Sequence, residues 1–297
     1  MKQILFIILS LNLSFSCLST PVKNVITSYT TDSLQSSFKS AGQIVMHYWD
    51  NFNFNDTVVF TDTNFLEQYF SDYLKIMSEV DYDTVCEAIS KFVDSTSLKA
   101  GYRIFFSETI DKYLYEPDSP LYNEELYIIF LQNILESSNY PDIEKLRFRH
   151  NMNEAMKNRV GTSATDFGFI TSDGQLTSLL SSPESNHSLL IFFDPDCEHC
   201  RETIEELVNI PEINNLIRNH RLNIIAVYSG EDKELWQIYA SSLPDNWIVG
   251  FEPGQIYEKD LYALPTFPTI YLLDSEKRII AKNVSLPQLL RLLSIGS

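Results

Sequence analysis

The chain has 297 residues, 44% of them hydrophobic and 13% aromatic, and a formal net charge of −18. That length supplies one large buried core or two smaller ones. The acidic balance repels phosphate backbones, which excludes nucleic acid as a partner class.

The first element, MKQILFIILSLNLSFSC, reads as a targeting segment rather than as part of a fold. Lys2 gives a positive start and Ile4 to Leu13 an apolar core, too short for the roughly 20 residues of a membrane-spanning helix. Small Ser16 precedes Cys17, where a signal peptidase would cut, and the stretch resembles a bacterial lipoprotein signal, with bulky Phe15 as a departure. The resemblance implies a lipidated Cys17 and a protein held by a lipid anchor in the bacterial cell envelope, facing the periplasm or the exterior. Residues 1–17 are then the signal and 18–32, rich in Ser and Thr, a flexible tether.

From 33 to 158 apolar residues recur at helical spacing, as in Phe65, Tyr69, Phe70, Tyr73 and Leu74, or Leu126, Ile129, Phe130 and Ile134. Turn signals at 52–56 and 116–125 divide the stretch into five or six helices. Asn123 before Glu124 and Glu125 marks a helix start, because acids favour the positive helix end. Cys86 lies on the stripe of Val85, Ile89, Phe92 and Val93 and reads as a buried core cysteine. No metal spacing, glycine loop or nucleophile motif occurs in this half, and its aromatic stripes read as core.

After Arg159 the pattern changes. Residues 166–171 and the turn Ser172-Asp173-Gly174 suggest a small hairpin, and 188–193 and 222–229 read as buried strands. Helices are expected at 201–209, 232–242 and 287–293, and a hairpin pairs 269–274 with 277–282. Strands alternating with helices make residues 160–295 an α/β sheet with helices on both faces, preceded by an all-α domain over 33–158.

Strand 188–193 leads into FFDPDCEHC, so Cys197 falls at the start of a helix beginning near Glu198. Unsatisfied N–H groups and the helix dipole favour an anion there, and such positions lower a cysteine pKa from about 8.5 into the range of about 3.5 to 7.5. Cys200 follows one turn later. The spacing gives an attacking thiol and a resolving thiol, with His199 able to add positive charge. Two other readings stand beside it. One is a structural disulfide. The other is zinc, which needs four ligands, whereas only Cys197, His199 and Cys200 cluster and His220 would have to reach back. No metal and no cofactor are expected.

FFDPDCEHCRETIEEL resembles the strand–CxxC–helix of thioredoxin-fold proteins, and TFPTIYLLD, 266–274, their cis-proline segment. GTSATDFGFITSDGQLTSL, 161–179, resembles the lead-in of membrane-anchored thioredoxin-like reductases of the TlpA/ResA type. The layout as a whole is similar to bacterial envelope lipoproteins in which an uncharacterised helical domain precedes a thioredoxin-like domain. The resemblance implies that Cys197 and Cys200 form a redox-active disulfide, with Cys197 the nucleophile and Cys200 the resolving thiol. It makes Pro268 the cis-proline, in preference to Pro265, and Phe267 a residue that faces the pair and contacts substrate. His199 and Glu198 would tune the pair.

Two departures stand out. Asp196 replaces the tryptophan common before the first cysteine, and Ile191 stands where thioredoxins carry a buried acid. Glu231, Glu234 or Glu198 would have to supply that acid. The implied activity is thiol-disulfide exchange with envelope proteins, as a reductase rather than an oxidase, fed by an electron donor that the sequence does not identify. The charges of His199 and of Asp194, Asp196 and Glu198 oppose each other, so the residues alone do not fix the direction. The competing reading is a non-enzymatic envelope binding protein that uses the helical domain, with an inert thioredoxin-like scaffold.

Overall fold

Six helices come first among the described residues: α1 (Ala41–His47), α2 (Thr63–Met77), α3 (Tyr82–Ser97), α4 (Ala100–Leu114), α5 (Glu124–Glu136) and α6 (Asp142–Met156). The computed structural model describes residues 40–55, 62–117 and 119–293. The signal segment with Cys17 and the tether over 18–32 lie outside the described residues. The chain divides into two compact units, one ending at Ala88 and the other running from Ile89 onward. Secondary-structure type changes near residue 159, as the sequence suggests, but the packing boundary falls earlier, within α3.

In the first unit an aromatic cluster holds α1 to α2. Tyr48 and Tyr69 each donate a hydroxyl hydrogen bond to the other's carbonyl at 2.9 Å, and their rings lie 4.4 Å apart. Buried hydroxyls cost free energy unless paired, and this reciprocal arrangement satisfies both.

In the second unit α5 is the central helix of its group. Leu126 to Leu131 and Ile134 are all buried, so the helix is apolar on nearly every side. Its start is fixed by Asn123, whose side chain accepts from the Leu126 N–H at 3.0 Å. Cys86, in α3, is half-buried rather than fully buried, and its thiol is free.

The second unit then builds a seven-stranded sheet in the order β2-β1-β5-β4-β3-β6-β7. The strands are β1 (Gly168–Thr171), β2 (Leu176–Ser178), β3 (His187–Phe193), β4 (Leu222–Ser229), β5 (Ile248–Glu252), β6 (Thr269–Asp274) and β7 (Ile279–Lys282). The central strands β3, β4 and β5 run parallel, and β6 pairs antiparallel with β3. Helices α7 (Glu198–Val208), α8 (Pro211–Arg218), α9 (Lys233–Ala240), α10 (Gln255–Glu258) and α11 (Leu286–Leu292) complete the fold.

Strand periodicity splits the core into two layers. Leu189, Ile191 and Phe193 face α7, α8, α9 and α11, while Leu190 and Phe192 face Phe167, Ile256 and Tyr262. Both faces of β3 and β4 are covered, which explains their near-continuous apolar runs. Each such side chain contributes about 1.5–3 kcal/mol on burial.

Candidate functional site

Burial on both faces fixes β3, and its C-terminal end aims the chain at the top edge of the sheet. The turn that follows is tied by the Asp194 carboxylate, which accepts from the Asp196 N–H at 2.8 Å, and by the Cys197 N–H bonding the Asp194 carbonyl at 3.1 Å. Pro195 is buried and Asp196 exposed. The chain therefore enters α7 with Cys197 as its N-cap.

Cys197 is partly exposed, whereas Cys200 has no exposed surface. The Cys200 N–H donates to Cys197 Sγ at 3.2 Å, so one of the orphan amides of the first turn points at the outer sulfur. Cys197 Sγ also meets the Phe267 carbonyl at 3.6 Å. The Phe267–Pro268 bond is cis, and Thr269 directly begins β6. What Phe267 presents to the pair is its carbonyl; its ring packs against both core layers.

Burial pushes the Cys200 thiol up to about 12; the Asp194 backbone N–H works against that rise, and the neighbouring Cys197 and Asp194 charges add to it. The two sulfurs thus sit in different environments: one reachable beside helix amides, the other enclosed and reluctant to ionise.

The acids proposed from sequence take other places. Glu198 is exposed on the first turn of α7, and Glu231 is exposed on the loop before α9. Asp194, the residue directly after β3, is the carboxylate whose charge bears on Cys200, a position read from the sequence only as a charge opposing His199. The buried acid of this sheet edge, Glu252, is committed elsewhere. It accepts from Ser229 Oγ at 2.7 Å and from the Gln255 and Ile256 amides that open α10. Tyr239 is a second residue the sequence did not flag. Burial, then the charges of Cys200 and Cys197, raise its phenol above the ordinary value, and its ring packs 5.3 Å from Phe193.

His199 is exposed, with Nδ1 3.9 Å from Glu202 Oε2. It lines a groove of about 410 Å³ together with Thr203, Glu206, Thr266 and Pro268. Among the described residues no three His, Cys, Asp or Glu side chains are grouped to hold a metal ion, and no helix is long and apolar enough to cross a membrane. His187 lies on β3, far along the strand from the pair. Trp49, Trp236 and Trp247 are buried packing residues.

This arrangement, a CxxC pair at a helix start facing a cis-proline across a sheet with parallel centre and antiparallel edge, defines the thioredoxin-like class. A crystal structure of a thioredoxin-like protein from Bacteroides caccae is 35% identical, with a TM-score of 0.78 over 89% of this chain and 96% of that one. The chain belongs to the thioredoxin-like proteins. A conserved protein of unknown function from Bacteroides fragilis is also 35% identical, over 46% of this chain and 98% of its own, at a TM-score of 0.44. The thioredoxin domain of a thiol-disulfide oxidoreductase from Bacteroides vulgatus is 21% identical, over 46% and 95%, at 0.40. Residues 20–158 match the family described as a domain of unknown function, DUF5106. No curated protein matches the chain.

Proposed function

We propose that the protein is a thiol-disulfide oxidoreductase acting on protein disulfides of the bacterial envelope, as a reductase, through Cys197 and Cys200. The observation that carries this reading is the asymmetry of the pair. Cys197 is partly exposed between the Cys200 amide and the Phe267 carbonyl, and Cys200 is enclosed one turn behind it.

In the reaction the Cys197 thiolate attacks one sulfur of a substrate disulfide. A mixed disulfide forms and the first substrate thiolate leaves, taking a proton from solvent. Cys200 then loses its proton and attacks Cys197 Sγ, which breaks the mixed disulfide and releases the second substrate thiolate. The substrate gains two electrons and the pair ends as a disulfide, to be restored by a dithiol donor. Substrate backbone lies against Pro268 and the Phe267 carbonyl.

The segment ending at Cys17 supports lipid attachment, with residues after it tethering the folded chain to the membrane. Two or more acyl chains hold a protein stably, whereas one is marginal. Trapping tests the exchange. The Cys200→Ala variant should accumulate covalent adducts with envelope proteins that dithiothreitol releases. Absence of adducts in Cys200→Ala, with adducts instead in Cys197→Ala, would overturn the assigned roles.

A further inference from the structure

The groove beside the cysteine pair has two walls of different origin. One is thioredoxin-like: His199, Thr203 and Glu206 of α7, with Pro268 at its floor. The other is Glu116 and Pro117, from the loop between α4 and α5. We propose that Glu116 makes this helical segment a specificity element, selecting polypeptides that carry a lysine or arginine beside the exchanging cysteine. The proposal rests on the exchange reading above and names the class of substrate it acts on.

The described residues of this loop are held by backbone and side-chain hydrogen bonds. Glu116 O accepts from the Ser119 N–H at 3.0 Å, Ser119 Oγ donates to the Tyr113 carbonyl at 2.6 Å, and the Asn123 N–H bonds the Leu114 carbonyl at 3.1 Å. The next residue, Glu124, meets Lys282 of β7 at 2.6 Å, both side chains being almost fully buried. That strand runs straight into Asn283–Pro287, which line the same groove. The buried pair therefore ties the start of α5 to the end of β7, next in the chain to residues that line the groove.

Charge names the occupant. Glu116 lines the groove from the loop before α5 and Glu206 lines it from α7. Among the described residues no Lys or Arg lines it. A polypeptide lying along Pro268 passes between the two carboxylates, so a basic side chain flanking its cysteine is attracted and an acidic one repelled.

The test uses the reduced mature chain and two peptide disulfides of identical sequence, except that the residues flanking the cysteine are lysine in one and glutamate in the other. Wild type should reduce the lysine peptide about fivefold faster in kcat/KM at low salt, the upper range for an exposed charge pair, and the preference should shrink at high salt. Glu116→Gln should lower the ratio and Glu116→Lys should bring it to one or below. Because the ratio compares two substrates on one protein, loss of folded material cancels. A ratio that Glu116→Lys leaves unaltered would overturn the groove proposal alone. A wild-type chain that exchanges with neither peptide would overturn the exchange reading beneath it.

Discussion

Replacing Lys282 with methionine removes the ammonium from a site where it is about 1% exposed. Its Nζ lies 2.6 Å from Glu124 Oε2 and donates to the Ala155 and Lys157 carbonyls at 2.9 and 2.8 Å. Methionine fills a similar volume but satisfies none of these three acceptors. Leaving the carbonyls unpaired costs about 1–3 kcal/mol, and breaking a buried ion pair costs about 3–5 kcal/mol. The cost depends on pH in a defined sense. Burial raises the Glu124 carboxyl from 4.5 to about 7 in the folded chain, even with Lys282 beside it. A raised acid binds its proton more tightly folded than unfolded, so its contribution to stability falls as pH rises from the unfolded value to the folded one, then levels. Wild type levels off near pH 7. Without Lys282 the folded carboxyl is raised further, so the Lys282→Met variant keeps losing stability above pH 7, by up to about 1.4 kcal/mol per pH unit. Urea denaturation followed by the fluorescence of buried Trp236 and Trp247 measures the gap. It should be about 2 kcal/mol at pH 6 and about 4–5 kcal/mol at pH 9. A gap below about 1 kcal/mol, or one that narrows as pH rises, would refute the reasoning.

Alkylation of the reduced protein at neutral pH should modify Cys197 well before Cys200, because the latter is enclosed and its thiol is pushed up to about 12; peptide mass spectrometry reads the order, and equal labelling would argue against it. His199→Ala should make the couple more reducing by only about 20 mV or less, since an exposed charge contributes about 1 kcal/mol at most and 30 mV corresponds to about 1.4 kcal/mol. Equilibration with glutathione checks this, and a shift above about 60 mV would show a closer role for the imidazole. Gly250→Ala should destabilise the fold by about 1–3 kcal/mol in urea, because an added Cβ meets the Phe169 ring at 2.5 Å.

Much of this site was legible because local and periodic signals converge there. The apolar run of β3 marked a strand buried on both faces, and the polar step at Asp194 marked its end. Cys197 then had to open the amphipathic helix that carries Ile204 and Leu207. Asn123 was readable as a helix start because its cap is a local contact. Strand β5 was missed: it spans five residues and includes Gly250, a weak strand former that makes room for Phe169 of the neighbouring strand. Helix α8 was missed too, although Pro211 at its first turn and Ile213 and Ile217 on one face carry the signal. The Glu124–Lys282 pair joins elements far apart in the chain, so no window of sequence holds it. Asp194 reads from the sequence only as a charge opposing His199, because Glu198, Glu231 and Glu234 stand as the candidates for the missing acid; the turn after β3 carries the carboxylate whose charge bears on Cys200.

The central claim concerns the Cys197–Cys200 pair, and insulin reduction tests it most directly. With the soluble chain from residue 19 and dithiothreitol as donor, wild type should accelerate precipitation of the insulin chains, and Cys197→Ala should abolish that acceleration. A wild-type protein as slow as dithiothreitol alone, or a Cys197→Ala variant as fast as wild type, would contradict the account.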